Sequence, residues 1–153
     1  FISTTHLHRA TPAPRFSPRY AAPASHRHPS ALPAADASAC APWDVDPRPL
    51  LPRPRDTRLD GIEAITPQPQ GDVTLEEILA GLGDDMVLVD GLPAILFDEI
   101  YPVSMLEDYT HRLIEMFSPR LVLGISDEIS STGDIERVRV VGQIVDAHNA
   151  RFE

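Results

Sequence analysis

Two adjacent acids, Asp127 and Glu128, directly follow the apolar segment 121–126, which has the composition of a strand buried in a sheet. A carboxylate at the end of a strand can act as a general base, orient a substrate amine or join a metal site. Successive side chains of an extended segment point to opposite sides, so we expect at most one of the two acids to face a binding site. The alternative is an exposed acidic loop before a helix, where negative charge is favourable by about 0.3–1 kcal/mol. The sequence leaves both interpretations open.

Other ionisable residues carry weaker signals. Glu63 lies inside a predicted strand, and the apolar pattern around it does not settle which way its side chain points. Asp98 is expected to be a solvated loop acid. The single cysteine, Cys40, excludes a disulfide framework and a zinc site built from cysteines. No phosphate-binding loop or nucleophile elbow occurs, and we predict no metal site in this chain.

Three strand–helix units position these residues. The predicted strands span residues 59–66, 86–89 and 121–126, and the middle one is apolar without alternation, as in a parallel sheet. Between the first two strands, Thr74 and Glu77 form the sequence pattern of a capping box, which predicts a helix that ends at Gly81 or Gly83. The repeat predicts an α/β fold, although the spacing does not distinguish a doubly wound sheet from a (β/α)₈ barrel.

Two further helices follow from apolar periodicity. Ser104 and Glu107 predict a second capping box, and the helix after it is expected to face the core through Met105, Tyr109, Leu113 and Phe117. The last helix is expected to carry a core-facing stripe of residues three or four positions apart: Ile135, Val138, Val141, Val145, His148 and Phe152.

The composition changes near residue 58. Residues 1–58 hold eleven of the sixteen prolines, eight of the thirteen arginines and four of the twenty-three acids. Such a segment cannot bury enough apolar surface to offset its ordering entropy. We therefore expect residues 1–46 to be a disordered or out-of-frame segment. The acidic remainder argues against a specific nucleic-acid partner, and no apolar run approaches the roughly 20 residues of a membrane span.

Residues 59–67 (LDGIEAITP) and 70–77 (QGDVTLEE) resemble a late segment of the uroporphyrinogen decarboxylase-like superfamily. Residues 91–97 (GLPAILF) resemble the loop after its seventh strand, and residues 121–128 (LVLGISDE) resemble its eighth strand and the following loop. The resemblance implies that residues 47–153 are a partial barrel domain, namely the C-terminal three βα units of a (β/α)₈ TIM barrel.

The resemblance implies a cofactor-independent carboxy-lyase that acts on tetrapyrrole carboxylates, as in porphyrin biosynthesis. The alternatives are a zinc- and corrinoid-dependent methyltransferase of the same superfamily, with zinc ligands outside this chain, and a non-catalytic half-barrel interaction module. Asp127 stands where the decarboxylases carry a histidine. The chain lacks most of the catalytic face, so we expect it to be inactive by itself.

Active sites of such barrels lie at the carboxyl ends of the strands. The resemblance therefore makes Asp127 and Glu128 catalytic candidates. It also assigns substrate binding to four further positions: Gln68, Gly91, Pro93 and Ser126. We expect a small-molecule substrate such as a tetrapyrrole, no cofactor, no membrane partner and a cytoplasmic location, and we leave a homo-oligomer open.

Overall fold

The computed structural model of this chain describes residues 40–42, 47–48, 51 and 59–152. Most of the segment 1–46, which the composition predicts to be disordered or out of frame, lies outside the described residues. The exception is a short strand at Cys40–Pro42, which the composition did not indicate. Its backbone pairs with the next strand along the chain, so the ordered sheet begins before the predicted domain boundary at residue 47.

The described residues form one parallel sheet of four short strands. These are β1 (Cys40–Pro42), β2 (Gly61–Glu63), β3 (Val87–Leu92) and β4 (Leu121–Ile125). Their order in the sheet is β1-β2-β3-β4, the same as their order in the chain. Every neighbouring pair is parallel.

Three helices connect and cover the strands: α1 (Leu75–Leu82), α2 (Val103–Phe117) and α3 (Glu136–Asn149). Each crossover advances by one strand in the same direction, and right-handed crossovers then place the helices on one face of the sheet. In agreement, α1 packs against α2, and α2 packs against α3. The predicted α/β class is confirmed.

The capping box of α1 is present as predicted. The Thr74 hydroxyl accepts a hydrogen bond from the Glu77 backbone N–H at 3.2 Å, and the Thr74 N–H donates to the Glu77 carboxylate at 2.8 Å. The helix ends before Gly83, whose φ of +68° lies in the left-handed region that glycine adopts without strain. Local sequence therefore defines both ends of α1.

The predicted capping box of α2 is wrong. The helix begins at Val103, directly after Pro102, and no side chain caps it, so Ser104 lies inside the first turn. Met105 is also 40% exposed, whereas Leu106 and Thr110 are fully buried. Thr110 tolerates burial because its hydroxyl donates to the Leu106 carbonyl at 2.7 Å. The predicted stripe is correct at Leu113 and Phe117, which are buried, and Tyr109 packs against the core, so only Met105 is wrong.

The core-facing stripe predicted on α3 is correct only in its middle. Val141 is buried and Val145 is partly buried, but Ile135 and Phe152 are 69% and 78% exposed. Val138 is exposed too. Among the described helices, α3 packs chiefly against α2, and the ends of its apolar stripe lie outside this contact.

The core lies between the sheet and the helices. Its fully buried side chains are Ile62, Ile65, Val73, Ile78, Leu82, Leu88, Leu92, Leu96, Phe97, Leu106 and Leu113. Ile62, Leu88 and Leu121 share one row of the sheet. In the part of the chain that the structure describes, no helix combines the length and the apolar composition needed to cross a bilayer.

Candidate functional site

Ser126 joins the carboxyl ends of three strands. Its side chain is buried, its hydroxyl donates to the Ile65 carbonyl at 3.0 Å, and it accepts a hydrogen bond from the Gly91 N–H at 2.9 Å. The Ser126 N–H donates to the Leu92 carbonyl. Both hydroxyl functions are therefore used inside the protein, where they position the chain around the site, and the role of Ser126 in substrate binding stays a prediction.

Gly91 and Pro93 are also structural. Gly91 is the fifth residue of β3 rather than part of the following loop, and its φ of +107° is strained for any residue with a side chain. A β-carbon there would approach the Leu113 side chain of α2 at 3.1 Å. Pro93 is buried and precedes the 3₁₀ turn Ala94–Phe97. Neither position offers a side chain to a ligand.

Gln70 bridges two loops of the site, although the sequence did not single it out. Its side-chain oxygen accepts a hydrogen bond from the Ile95 N–H at 3.1 Å, and its side-chain nitrogen donates to the Asp127 carboxylate at 3.0 Å. Because Ile95 supplies a donor, it fixes the orientation of the amide, and the amide nitrogen must face Asp127. A tight turn holds Gln70 in place: a β-carbon on Gly71 would lie 1.8 Å from the Thr66 carbonyl oxygen.

Asp127 is exposed but fixed in direction. One carboxylate oxygen accepts from Gln70, and the other accepts from the Glu128 N–H at 2.8 Å. Glu128 and Gln68 are exposed, and Gln68 donates its backbone N–H to the Val73 carbonyl. The structure thus gives Asp127 a defined arrangement, whereas it describes no side-chain hydrogen bond for Glu128 or Gln68.

Asp90, which the sequence analysis did not select, lies at the same edge. Its φ is +76°, a conformation that costs energy for a non-glycine residue. Burial raises the pKa of Asp90, the negative charge of Glu63 raises it further, and the Ala64 N–H opposes both effects. The only sequence signal is an acid before a glycine at the end of a strand.

Asp98 is a loop acid at the surface, as the sequence predicts, and its side chain also makes specific contacts. Its carboxylate accepts hydrogen bonds from the hydroxyls of Ser130 and Thr132 at 2.5 and 2.8 Å. The backbone of Asp98 also bridges to Gly133. These contacts hold the loop after β4, which contains Asp127, against the segment after β3. The Ser130 hydroxyl, followed by the Thr132 hydroxyl, lowers the pKa of Asp98.

The edge is acidic. Among the described residues, no arginine forms an ion pair with Asp127, Glu128 or Asp90. The Arg137 guanidinium is buried and donates to the carbonyls of Leu96 and Tyr101. Within residues 40–42, 47–48, 51 and 59–152, no three metal-binding side chains are grouped closely enough to hold an ion. This edge can therefore accept hydrogen bonds and stabilise positive charge.

Comparison of the chain with protein-family models, curated proteins and solved structures found no match.

Proposed function

We propose that this chain is the C-terminal part of a uroporphyrinogen decarboxylase-like (β/α)₈ barrel, and that the carboxyl edge of its sheet binds part of a small-molecule substrate. The strand order carries the proposal. In a doubly wound sheet the order reverses at the switch point where the ligand binds. Here the order β1-β2-β3-β4 has no reversal, all strands are parallel, and the strand ends are joined around Ser126. A barrel segment has this arrangement.

The role proposed for Asp127 follows from its hydrogen bonds. Gln70 and the Glu128 N–H donate to its two oxygens, which fixes its direction, while its exposure leaves further acceptor positions open to a ligand. An ionised carboxylate in this position would stabilise a protonated pyrrole or an N–H group of a tetrapyrrole. The arginines that hold substrate carboxylates would have to come from outside the described residues.

Binding of uroporphyrinogen under anaerobic conditions to the full chain tests this role. We expect shifts of backbone amide resonances in residues 66–70, 91–93 and 126–128. Asp127→Asn keeps the shape and removes the charge, and loss of a charged hydrogen bond, worth about 1.5–3 kcal/mol, predicts at least tenfold weaker binding. Asp84→Asn is the matched control, because Asp84 is an exposed acid at the opposite edge of the sheet.

The proposal fails if the ligand shifts resonances elsewhere, or if Asp127→Asn and Asp84→Asn bind equally well. Carboxyl release is a separate readout. The chain alone is expected to release no carbon dioxide from uroporphyrinogen, because only four strands of a barrel are described and catalytic groups come from several strands.

The open face of the sheet favours a second candidate, a non-catalytic interaction module. Val122 in β4 is 57% exposed, and β4 is an edge strand of apolar sequence. Exposed apolar edges pair readily with other strands. This function predicts a stable oligomer of the full chain by size-exclusion chromatography with light scattering, which Val122→Lys should dissociate. A monomer in both cases would exclude it.

A further inference from the structure

A cleft lies between α2 and α3, away from the carboxyl edge of the sheet. It has a volume of about 380 Å³ and is lined by His111, Ile114, Glu115, His148 and Arg151. α2 ends four residues before β4 begins, so the C-terminal halves of both helices lie at the amino edge of the strands. The proposed Asp127 site is at the other edge, so the cleft is a separate site.

The floor and walls of the cleft differ in polarity. Ile114 is 7% exposed and forms an apolar floor. His111 and Glu115 lie one turn apart on the same face of α2. On the other side, His148 lies in the last turn of α3, and its ring contacts that of Phe152 with centroids 5.2 Å apart. Arg151 follows the helix, where its N–H donates to the His148 carbonyl.

Opposite charges line this cleft without pairing. No ion pair within 4.0 Å joins Glu115 to Arg151, or either of them to another described residue. Both side chains are exposed and can reorient toward a ligand. A simple anion would be attracted by Arg151 but repelled by Glu115. A simple cation would be attracted by Glu115 but repelled by Arg151. A ligand that carries both charges satisfies both side chains.

We propose that the α2–α3 cleft binds a free α-amino acid with an apolar side chain. The guanidinium of Arg151 holds the carboxylate through paired hydrogen bonds. The carboxylate of Glu115 accepts from the ammonium group, and the apolar side chain contacts Ile114. The volume lies at the lower end of the range of small-molecule pockets, which suits a ligand of this size.

Nuclear magnetic resonance titration of the full chain tests the proposal with L-leucine, glycine, acetate and butylammonium as probes. We expect saturable shifts of the Ile114 methyl resonance and of the amides of Glu115, His148 and Arg151 with L-leucine. Glycine should bind several-fold more weakly, because it cannot contact the apolar floor. Acetate and butylammonium should each bind at least tenfold more weakly than L-leucine, since each satisfies one charge only.

Two variants and two controls complete the test. Glu115→Gln and Arg151→Gln should each weaken L-leucine binding at least tenfold, whereas Asp108→Asn on α2 and Arg139→Gln on α3 should leave it unchanged. All four positions are exposed or on the helix surface, so the fold is expected to persist. Shifts with acetate that match those with L-leucine, or no saturable shift with L-leucine, would overturn the proposal.

Discussion

The carboxylate of Asp90 occupies the space that a side chain at position 124 would need. A β-carbon built on Gly124 would lie 2.4 Å from one carboxylate oxygen of Asp90. Asp90 lies in β3, where it pairs with Leu123 of β4. The side chain of one strand therefore fills space beside the next, and the glycine in β4 is a condition for its position.

Gly124→Ala is expected to destabilise the protein by about 1–3 kcal/mol, because the added carbon forces the short Asp90 side chain out of its place. Asp90→Gly removes the carboxylate and suits a φ of +76°. In the Asp90→Gly variant, Gly124→Ala should change the free energy of unfolding only slightly. A double-mutant cycle measured by urea unfolding should therefore give a coupling energy of about 1 kcal/mol or more.

Gly142→Ala is the control for this cycle. A β-carbon on Gly142 meets no atom within 4 Å, and the residue lies within α3. Alanine is the better helix former, so this variant should gain about 0.5–1 kcal/mol. Equal effects of Gly124→Ala in both backgrounds would show that Asp90 does not cause the restriction at position 124.

The stability of Asp90→Asn relative to the unmodified chain should increase as the pH rises. Burial and the Glu63 charge raise the pKa of Asp90 above its unfolded value, so ionisation of the folded protein costs free energy. This cost is absent below the unfolded pKa of about 3.9 and is complete above the folded pKa. Asparagine remains neutral and tolerates positive φ.

The measurement is the thermal midpoint of Asp90→Asn and of the unmodified chain between pH 3 and pH 8. The midpoints should be similar at the acidic end and diverge in favour of the variant as the pH rises through the folded pKa. A constant difference across this range would contradict the titration of Asp90 as its cause.

Ser126→Ala tests the junction of the three strands. The substitution leaves the Gly91 N–H and the Ile65 carbonyl without their buried partner, and an unsatisfied buried polar group costs about 1–3 kcal/mol. Denaturant unfolding should show this loss, while Ser131→Ala, at an exposed loop position, should change stability by less than about 0.5 kcal/mol. A loss no greater than that of Ser131→Ala would show that the two hydrogen bonds contribute nothing net.

The sequence predicts those parts of the fold that local chemistry controls. The helix α1 is predicted correctly because its two ends depend only on neighbouring residues. These are the capping box of Thr74 and Glu77 and the positive φ of Gly83. The strand β3 is predicted from its apolar run, but its extension to Leu92 is not, because Asp90 and Gly91 are held there by contacts with β2 and β4. Tertiary contacts, rather than local preference, account for the errors.

The candidate site shows the same division. Asp127 is predicted from its place after a strand, whereas Gln70 lies fifty-seven residues earlier in the chain and becomes its partner only through folding. Ser126 is predicted at the edge where it lies, but its contacts with Ile65 and Gly91 are not predicted, because they join residues that are distant in the chain.

Asp98→Ala should release the loop that carries Asp127. The carboxylate holds the hydroxyls of Ser130 and Thr132, and without it these two residues lose their contacts with Asp98, while the Gln70–Asp127 hydrogen bond and the backbone bridge at Gly133 remain. We expect a glutamate-specific protease to cut after Glu128 several-fold faster, because local opening of the loop becomes more frequent. Asp84 is an exposed acid at the other edge, and the protease should cut Asp84→Ala as fast as it cuts the unmodified chain.

The same contact has a defined pH dependence. The hydroxyls lower the pKa of Asp98 below its unfolded value, so the contact stabilises the loop fully above a pH of about 3.9, and this stability is lost as the pH falls through the folded pKa. Amide resonances of Ser130 and Thr132 should therefore shift together below that pH in the unmodified chain and not in Asp98→Asn. Identical titrations in both proteins would show that another group controls the loop.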